Sequence, residues 1–515
     1  MTEKVKIHGK CEPRFKAVKD AFTRNFEEGL EVGASFAVTI NGKYVIDIWG
    51  GYKDREKTQP WEKDTICNVY STTKVMTVIC TMMCVDRGLL DLDEKVATYW
   101  PEFAQNGKEN ILVRHLLSHT SGLAGIEKPI PFSAWYDWDK IVNLLASQKP
   151  WWEPGTRSGY HAFTHGYLLG ELVRRTTGKS LGTFFREEIA DPLNADFFIG
   201  LPKEHVPRVS KLIPVRTSIF FISFILKTLF DRINNLEKIK RIIENWDKII
   251  LFDMGAQNLF TLKIQKGKIS FNKGKLENPD CIITTSRNTA RILYWLFSII
   301  NEEPDFVSKH LKMEGKPKNI SQVKKLFELI GEELRKSGPV GLKLALNPVA
   351  LRDRSSDREW QVAEIPAANG HGNSRSVARI ASIVACEGKV DGIRFLSKQT
   401  IKKLLEEQIS NRDLVMPLEL RWGLGVGLPN KSYPFPNPRT CFWGGAGGST
   451  ITMDLDTKMS VAYVMNKMET PRYIHNGEIK NRTFTRGGRL INAVYEVLGF
   501  GDVGLGRISP GQLNI

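Results

Sequence analysis

The sequence of 515 residues predicts an α/β domain assembled from both ends of the chain, with a smaller α+β domain inserted into it. Three observations predict this fold class. Patterns typical of β-hairpins occur near both ends, mostly helical patterns lie between them, and a central stretch has its own order of helices and strands. Strands at both ends indicate one sheet built from distant segments.

The first hairpin is predicted over Ala34–Ile40 and Tyr44–Trp49, because Asn41-Gly42 between them is the favoured pair for a two-residue type I′ turn. A helix is predicted over 68–88, with a Ser-Thr-Thr start and Gly88 as its stop. Further predicted elements are helices at Ile111–Leu117, Ile141–Ser147, Phe163–Thr176 and Leu490–Leu498, and a second hairpin of Ser449–Asp454 and Met459–Met465.

The central stretch is predicted to be a self-contained domain, so the chain divides into 1–204, 205–340 and 341–515, the outer two forming one domain. Its predicted elements are an apolar run at Ser218–Phe230, an amphipathic helix at Leu236–Ile243, strands at Lys248–Met254, Phe260–Ile264, Lys268–Phe271 and Cys281–Thr285, and a buried helix at Ala290–Ile300. The segment Gly331–Asp357, rich in Gly, Pro and charge, is interpreted as the return into the outer domain.

The composition is that of an ordinary globular protein, with 42% apolar and 25% charged residues. The net charge is +16, and between Arg208 and Arg335 there are 23 Lys and Arg residues against 14 Asp and Glu residues. Such a basic segment attracts an anionic membrane surface, or is simply a solvated surface. Because no nucleic-acid-binding motif accompanies the charge, a peripheral membrane contact is the favoured partner and nucleic acid is not expected.

The seven cysteines are scattered and form no CxxC pair, so neither a disulfide framework nor a metal site is expected. The start, Met1 to Pro13, is polar and lacks the apolar core of a signal peptide, which predicts a cytoplasmic protein. The run Ser218–Phe230 is shorter than the roughly 20 residues that a transmembrane helix needs. We interpret it as core packing or an interfacial segment.

The sharpest chemical signal is Ser71–Lys74. A serine at a helix start lies at the positive end of the macrodipole, and a lysine three residues later shares its helix face. A serine is a weak nucleophile until a base takes its proton, and a partly desolvated lysine can be neutral enough to help. The same spacing occurs at Ser270–Lys273 and Ser321–Lys324, but only Ser71 opens a long apolar helix.

Two later segments fit the same chemistry. Tyr160 lies in a turn-rich loop directly before a helix, where it could share a proton with Ser71. The glycine-rich run 442–449 leads into a strand, which marks close backbone approach to a ligand. A backbone N–H there could pair with that of Ser71 as an oxyanion hole. A half-buried tyrosine and an ordinary glycine-rich hairpin turn are the alternatives.

These segments resemble, in order, the three motifs of class C β-lactamases and their esterase and D-peptidase relatives: Ser71–Lys74, Tyr160–Ala162 and Trp443–Gly445. Phrases similar to the esterase branch are Ile48–Gly51, Trp61–Thr65, Gly88–Asp93, Tyr99–Phe103, Leu117–Leu123 and Ile365–Gly372. The likeness covers about 1–204 and 345–500. It implies the serine β-lactamase-like α/β fold, an antiparallel sheet flanked by helices plus an all-helical part.

The resemblance implies that Ser71 is acylated, with Lys74 and Tyr160 sharing general acid and base duty. It implies an oxyanion hole of the backbone N–H groups of Ser71 and Ala446, and substrate binding at Trp443, Gly444 and Gly445. No cofactor is implied. The second motif ends in Ala162 where β-lactamases usually have Asn, and the third has Trp443 where they have a Lys that helps bind the β-lactam carboxylate. These departures favour a neutral ester or amide substrate.

The insert resembles sterol carrier protein 2 in the segments Trp246–Met254, Phe260–Ile264, Gly267–Ile269, Pro279–Thr285 and Leu311–Gly315. That resemblance implies a five-stranded sheet with helices over an apolar tunnel for a lipid or acyl chain. The alternative is a small α+β insert with an ordinary filled core.

The expected activity is hydrolysis of a carboxylic ester, lipid-derived if the insert presents it, through an acyl-enzyme on Ser71. One alternative keeps the acyl-serine but acts as an acyltransferase, a D-amino-acid peptidase or a β-lactamase. Another is a non-catalytic lipid-binding or scaffold protein. The presence of Ser71, Lys74 and Tyr160 together argues against a scaffold, which does not need all three.

Overall fold

The structure is a computed structural model that describes residues 5–214, 233–253, 259–285, 311–337, 340–345, 354–416, 418–469 and 486–505. The predicted segments Ser218–Phe230 and Ala290–Ile300 lie outside the described residues. The chain divides into two compact units. Unit 1 comprises Met1–Gly125, Trp135–Val215 and Asp353–Ile515, and unit 2 comprises Ile126–Ala134 and Arg216–Arg352.

The described strands, β1 to β19 in chain order, are Ile7–Cys11, Gly33–Ile40, Lys43–Gly51, Ile66–Asn68, Phe197–Phe198, Val209–Ser210, Asp247–Asp253, Leu259–Gln265, Lys268–Lys273, Cys281–Thr285, Leu311–Gly315, His371–Gly372, Lys389–Val390, Ile393–Arg394, Ile409–Arg412, Glu419–Trp422, Thr440–Gly444, Thr450–Asp454 and Met459–Met465. The described helices, α1 to α14, are Lys16–Glu27, Thr73–Asp86, Val96–Tyr99, Val113–Leu117, Trp138–Ser147, Thr164–Thr177, Leu181–Phe185, Glu237–Ile243, Pro317–Ser337, Val340–Ala345, Arg358–Val362, Ser374–Ala385, Lys398–Leu404 and Arg486–Val497.

Unit 1 contains a six-stranded antiparallel sheet in the order β1-β3-β2-β19-β18-β17. Both predicted hairpins are present in it. Asn41 and Gly42 have φ values of 51° and 74°, as a type I′ turn requires at both central positions. The central pair β2–β19 joins residues more than 400 positions apart, so the sheet is built from both ends of the chain as predicted.

Helices cover both faces of this sheet. On one face, α1 and α14 bury an apolar cluster against β2, β3 and β19. On the other face, α12 packs against β2, β18 and β19. It begins at Asn373, whose side chain accepts a hydrogen bond from the Ser376 N–H at 2.9 Å. The final helix starts at Arg486, four residues before its predicted start.

The all-helical part is centred on α2, which packs against α6 and α7. Every residue from Thr73 to Cys84 is buried. A helix that is apolar all round belongs in a protein interior, so α2 provides a rigid core element. It ends at Asp86, and Gly88 two residues later has a φ of 70°, in the left-handed region that glycine adopts without strain.

A second, four-stranded sheet of unit 1 has the order β5-β12-β4-β6, and its strand β4 lies shortly before α2 in the chain. Strand β4 pairs antiparallel with β12, and the Val69 N–H donates to the Gly370 carbonyl at 2.9 Å. The residues that follow β4 are therefore held against the segment 364–372. Strand β6 pairs parallel with β4, which ties Val209 and Ser210 to unit 1.

Unit 2 contains a five-stranded sheet in the order β11-β10-β7-β8-β9, antiparallel except for the parallel pair β10–β7. Helices α8 and α9 contribute to its apolar core. Its buried side chains are Ile233, Ile239, Ile243, Ile250, Phe252, Phe260, Leu262, Ile264, Ile269, Cys281, Ile283, Val323, Leu326, Phe327 and Ile330. The predicted order of helix and strands is present, and the strand bounds differ by one or two residues.

The predicted return over Gly331–Asp357 differs from the structure, because α9 continues through Gly331 to Ser337 and α10 follows. A single glycine inside a helix costs only about 1 kcal/mol relative to alanine. The strong helix formers Glu332, Glu333 and Leu334 follow it. Within the ranges that the structure describes, none of the helices is both long and apolar enough to cross a membrane.

Candidate active site

Ser71 lies on a short 3-10 turn, Tyr70–Thr72, between β4 and α2. Tyr70 has a φ of 44°, a left-handed conformation that is uncommon for a non-glycine residue and is often found at functional sites. The Thr73 hydroxyl holds this turn by donating to the Tyr70 carbonyl at 2.5 Å and accepting the Gly370 N–H at 2.9 Å. The serine therefore projects from a turn that is fixed on both sides.

Lys74 is 0% exposed, and its amine makes three contacts. Its Nζ lies 3.1 Å from Ser71 Oγ, 2.7 Å from the Ala162 carbonyl and 2.9 Å from the Ala367 carbonyl. Burial holds the pKa of Lys74 well below its ordinary value of 10.5. A neutral amine donates two protons to the carbonyls and keeps one lone pair, which is free to accept the Ser71 hydroxyl proton.

The Ala367 carbonyl is held in place by a buried loop. The Thr77 hydroxyl donates to the neighbouring Pro366 carbonyl at 2.5 Å. The Asn369 amide accepts the Ile365 N–H at 2.9 Å and donates to two further backbone carbonyls. The loop backbone is therefore fixed by side chains, and the acceptor for Lys74 cannot move without breaking these bonds.

Tyr160 is 8% exposed and lies beside both residues. The Lys74 nitrogen is 4.8 Å from the centre of its ring, and its phenol bonds to the Ser71 hydroxyl. The Trp443 indole N–H donates to the phenol oxygen at 3.3 Å. Burial raises the pKa of Tyr160 well above its ordinary value, so the phenol is protonated at neutral pH.

Aromatic rings enclose the phenol. The Trp422 ring stacks on Tyr160 at 6.3 Å with an interplanar angle of 7°, and it lies 4.5 Å from the Trp443 ring. The His119 ring lies 5.2 Å from Tyr160, and burial holds its pKa well below the ordinary value, so it adds no positive charge. This wall excludes water from one side of the site, which strengthens its electrostatic interactions.

The glycine-rich segment lies against the nucleophile turn. A Cβ on Gly445 would lie 2.1 Å from the Val69 carbonyl oxygen, so only glycine permits this approach. The Ser449 hydroxyl fastens the contact, at 2.8 Å from the Val69 carbonyl and 3.0 Å from the Thr72 hydroxyl. Ala446 follows Gly445 in a turn and is exposed.

The structure thus brings together Ser71, Lys74, Tyr160 and Trp443, which lie far apart in the sequence. The two other Ser-x-x-Lys matches do not join them. Ser270 lies on β9 and bonds to the Lys263 carbonyl, and Ser321 lies on α9, so both belong to unit 2.

Sequence reasoning missed three groups at this site. The carbonyls of Ala162 and Ala367 hold Lys74, although both residues lie in segments that the motifs include. Trp422 and Asp413 lie in no motif, and Asp413 accepts the Tyr160 N–H at 3.0 Å. Only contacts between distant segments of the folded chain identify Trp422 and Asp413. His119 lies in the phrase 117–123, where no role was assigned to it.

Among the residues described, no group of three or more His, Cys, Asp or Glu side chains is arranged to hold a metal ion. Histidines do cluster behind Tyr160, with the rings of His119 and His165 at 4.4 Å and those of His119 and His161 at 5.3 Å. The side chains of Lys74 and Tyr160 both form hydrogen bonds with the Ser71 hydroxyl.

Known proteins are similar to this chain over most of its length. The model of the Beta-lactamase family matches residues 22–217 and 332–481. The chain is similar to Esterase/beta-lactamase LipL of Mycobacterium tuberculosis (strain ATCC 25618 / H37Rv), with 27% identity over 472 residues that cover 90% of this chain and 84% of that protein. It is also similar to Acyltransferase calJ of Penicillium decumbens, with 40% identity over 102 residues, or 17% of this chain and 24% of that protein.

Among solved structures, a family VIII carboxylesterase is similar, with 30% identity and a TM-score of 0.65. The match covers 96% of this chain and 100% of that chain. The sheet and the helical part match the fold that the sequence predicts, and the family model matches parts of all three segments of unit 1. The chain therefore belongs to the beta-lactamase family.

Proposed function

We propose that the protein is a serine hydrolase that cleaves carboxylic esters through an acyl-enzyme on Ser71. One observation carries the proposal: the Lys74 amine is buried, holds two backbone carbonyls and lies 3.1 Å from Ser71 Oγ. A desolvated lysine in this arrangement is a general base.

In the acylation step, Lys74 Nζ takes the hydroxyl proton as Ser71 Oγ attacks the ester carbonyl carbon. The carbonyl oxygen becomes an oxyanion, which the backbone N–H groups of Ser71 and Ala446 stabilise. As the tetrahedral intermediate collapses, the C–O bond to the alcohol breaks and the Tyr160 phenol gives the leaving oxygen a proton. Transfer of a proton from the Lys74 ammonium to the Tyr160 phenolate then restores the neutral amine and the neutral phenol.

In the deacylation step, a water molecule attacks the acyl carbon and loses a proton to the neutral Lys74 amine. The Ser71 oxygen leaves and takes back a proton, and the acid product departs. The roles of Lys74 and Tyr160 are supported by opposite effects of burial, which lowers the pKa of the amine and raises that of the phenol. The lowered pKa favours the neutral amine, which can act as a base, and the raised pKa keeps the phenol protonated as a proton donor.

The substrate proposed for this site is a neutral ester or amide that contacts Trp443, Gly444 and Gly445. Trp443 is nearly buried and its indole N–H already bonds to Tyr160, so it offers no charge to a substrate carboxylate. Neutral acyl groups are bound instead by apolar contact and by the backbone of β17.

For the insert we propose a sterol carrier protein 2-like domain, over about 205–340, that binds the lipid or acyl part of the substrate. The five-stranded sheet with helices supports this, and the excess of Lys and Arg supports a peripheral contact with anionic membrane.

Acyl transfer is the second candidate, because the similarity to Acyltransferase calJ covers 102 residues at 40% identity. The same acyl-enzyme forms, and an alcohol replaces water in the second step. Adding increasing concentrations of a primary alcohol to the reaction, and measuring the ratio of new ester to free acid, separates the two activities.

The test of the proposed function is covalent labelling. The full-length protein is incubated with a fluorophosphonate probe, and the labelled residue is mapped by mass spectrometry. We expect modification at Ser71, together with turnover of p-nitrophenyl esters that the probe abolishes. Labelling at another serine, or ester turnover that persists after complete labelling of Ser71, would overturn the assignment.

A further inference from the structure

A buried carboxylate lies behind the second motif. Asp413 is 5% exposed and follows β15. Its Oδ1 accepts three backbone N–H groups, from Tyr160 at 3.0 Å and from Val415 and Met416 at 2.9 Å each. One oxygen therefore joins the loop that carries Tyr160 to the loop between β15 and β16.

The second oxygen of Asp413 makes a matching contact. The Ser158 hydroxyl lies 2.8 Å from Asp413 Oδ2 and also 2.8 Å from the Asn411 amide. The single hydroxyl proton of Ser158 is shared between two acceptors, the Asp413 Oδ2 and the Asn411 Oδ1. In addition, the Leu414 N–H donates to the Ser158 carbonyl at 2.9 Å.

These donors satisfy the charge of Asp413. Among the ion pairs of the described residues none includes this carboxylate, so N–H and O–H groups alone stabilise it. Hydrogen bonds to an ionised acceptor are about twice as strong as neutral ones. Leaving such donors unpaired in a buried site is destabilising, because each has lost its hydrogen bond to water without gaining another partner. Asp413 therefore holds the loop 158–160 together with the His119 carbonyl, which accepts the Gly159 N–H at 3.0 Å.

The hairpin of β15 and β16, whose loop contains Asp413, also contacts the ring of Tyr160. Strand β15 pairs antiparallel with β16, and β16 ends at Trp422. The Trp422 ring stacks on the Tyr160 ring at 6.3 Å. One end of the hairpin thus holds the Tyr160 backbone through Asp413, and the other end covers its ring.

We propose that Asp413 is a positioning residue for Tyr160, holding the backbone of 158–160 so that the phenol oxygen lies within reach of Ser71. This inference rests on the proposed function, in which Tyr160 protonates the leaving group. A displacement of about 1 Å in a catalytic group can cost about 100-fold in rate, so a residue that fixes the Tyr160 backbone governs turnover without touching the substrate.

The charge of Asp413 has a second effect. The titratable groups that face Tyr160 are Lys74 over its ring, His119 at 5.2 Å and Asp413 at its backbone. Burial of the phenol and, to a lesser extent, the negative charge of Asp413 raise the pKa of Tyr160. Both keep the phenol protonated.

The experiment compares Asp413→Ala and Asp413→Asn in the full-length protein. Glu419→Gln is the control, because Glu419 is an exposed carboxylate at the start of β16 in the same hairpin. For each variant, kcat and KM for a p-nitrophenyl ester are measured against pH, and the midpoint of thermal unfolding is recorded. Fluorophosphonate labelling of Ser71 reports the fraction of competent sites.

We expect Asp413→Ala to lower kcat per labelled site by about tenfold or more with little change in KM. Asparagine keeps an oxygen for the three N–H groups but not the charge. Asp413→Asn should therefore lose less kcat than Asp413→Ala and move the alkaline limb of the kcat profile to lower pH. Glu419→Gln should match the wild type in both quantities.

The inference is overturned if Asp413→Ala lowers the unfolding midpoint alone, or if the profile of Asp413→Asn superimposes on that of the wild type. Those results leave the proposed function intact, because the wild type still acylates Ser71. If the wild type neither labels at Ser71 nor hydrolyses esters, the proposed function fails and this inference falls with it.

Discussion

The indole nitrogen of Trp443 donates a hydrogen bond of 3.3 Å to the phenol oxygen of Tyr160. The position where β-lactamases usually have a lysine is therefore occupied by a neutral donor that already has a partner. The Trp443 N–H donates to the phenol oxygen of Tyr160, and this oxygen also bonds to the Ser71 hydroxyl. The Trp443 side chain carries no positive charge with which to bind a substrate carboxylate.

We therefore expect β-lactam hydrolysis to be slow or absent compared with hydrolysis of neutral esters. Trp443→Lys should increase affinity for anionic substrates, because it supplies the missing charge. The measurement is kcat/KM for a penicillin and for a neutral ester on both proteins. Efficient penicillin turnover by the wild type would contradict this prediction.

Replacement of the nucleophile gives the second prediction. Ser71→Ala should lower ester turnover by several orders of magnitude, because the covalent route is lost, while the fold is retained. Ser270→Ala and Ser321→Ala are matched controls, since each changes a Ser-x-x-Lys serine in unit 2 and should leave kcat unchanged. Circular dichroism checks the fold. Retention of most activity by Ser71→Ala excludes the mechanism.

The buried amine of Lys74 gives a prediction for stability against pH. Its pKa is lower in the folded protein than the ordinary value of 10.5, so in the window between these two values the unfolded chain binds a proton that the folded protein does not. The free energy of unfolding should therefore rise with pH across that window.

Lys74→Met removes this titration, so the variant is the reference. Urea unfolding of both proteins between about pH 7 and about pH 10 should show the wild type gaining stability relative to the variant as pH rises. A constant difference across that range would mean that Lys74 is charged in the folded protein, which is incompatible with its role as a base.

The close approach of β17 to the nucleophile turn gives the fourth prediction. Gly445→Ala places a Cβ 2.1 Å from the Val69 carbonyl oxygen, a backbone atom that cannot rotate away. The glycine-rich loop must move, and kcat should fall by about 100-fold. Gly444→Ala is the graded comparison, because its Cβ would lie 3.1 Å from the Ser449 carbonyl oxygen and needs only a small shift. Equal kcat values for the two variants would contradict the argument.

The fold and the three motifs could be predicted because each signal is local. The turn at Asn41-Gly42, the helix that follows Ser71 and the glycines before Ser449 each occupy a few consecutive residues. The order of the motifs then specified the beta-lactamase family, which the family model confirms.

The rest of the site depends on contacts between distant segments. Asp413 lies more than 250 residues after Tyr160, in a stretch without turn or helix signals that would mark it. The Ala162 and Ala367 carbonyls hold Lys74 through backbone atoms, so the identity of the side chain carries no information. The continuation of α9 through Gly331 was missed for another reason: a glycine was interpreted as a break where the helix formers after it prevail.

The last prediction concerns unit 2 and chain length. If the insert binds the acyl chain, each methylene removed from water contributes about 0.8 kcal/mol, so kcat/KM should rise steeply with the length of the acyl group. The measurement is a series of p-nitrophenyl esters on the intact protein. A fluorescent fatty acid titrated into the same protein reports binding directly.

The comparison protein has residues 216–352 replaced by a Gly/Ser linker. The replaced segment must begin after Ile213, because its N–H donates to the Asn466 carbonyl at 2.7 Å and it therefore belongs to unit 1. We expect short esters to be hydrolysed at the original rate and the dependence on chain length to flatten. Binding to anionic vesicles should also be lost, and in the intact protein it should weaken as salt rises. An unchanged chain-length profile, together with no fatty-acid binding by the intact protein, would make the insert a structural or assembly element.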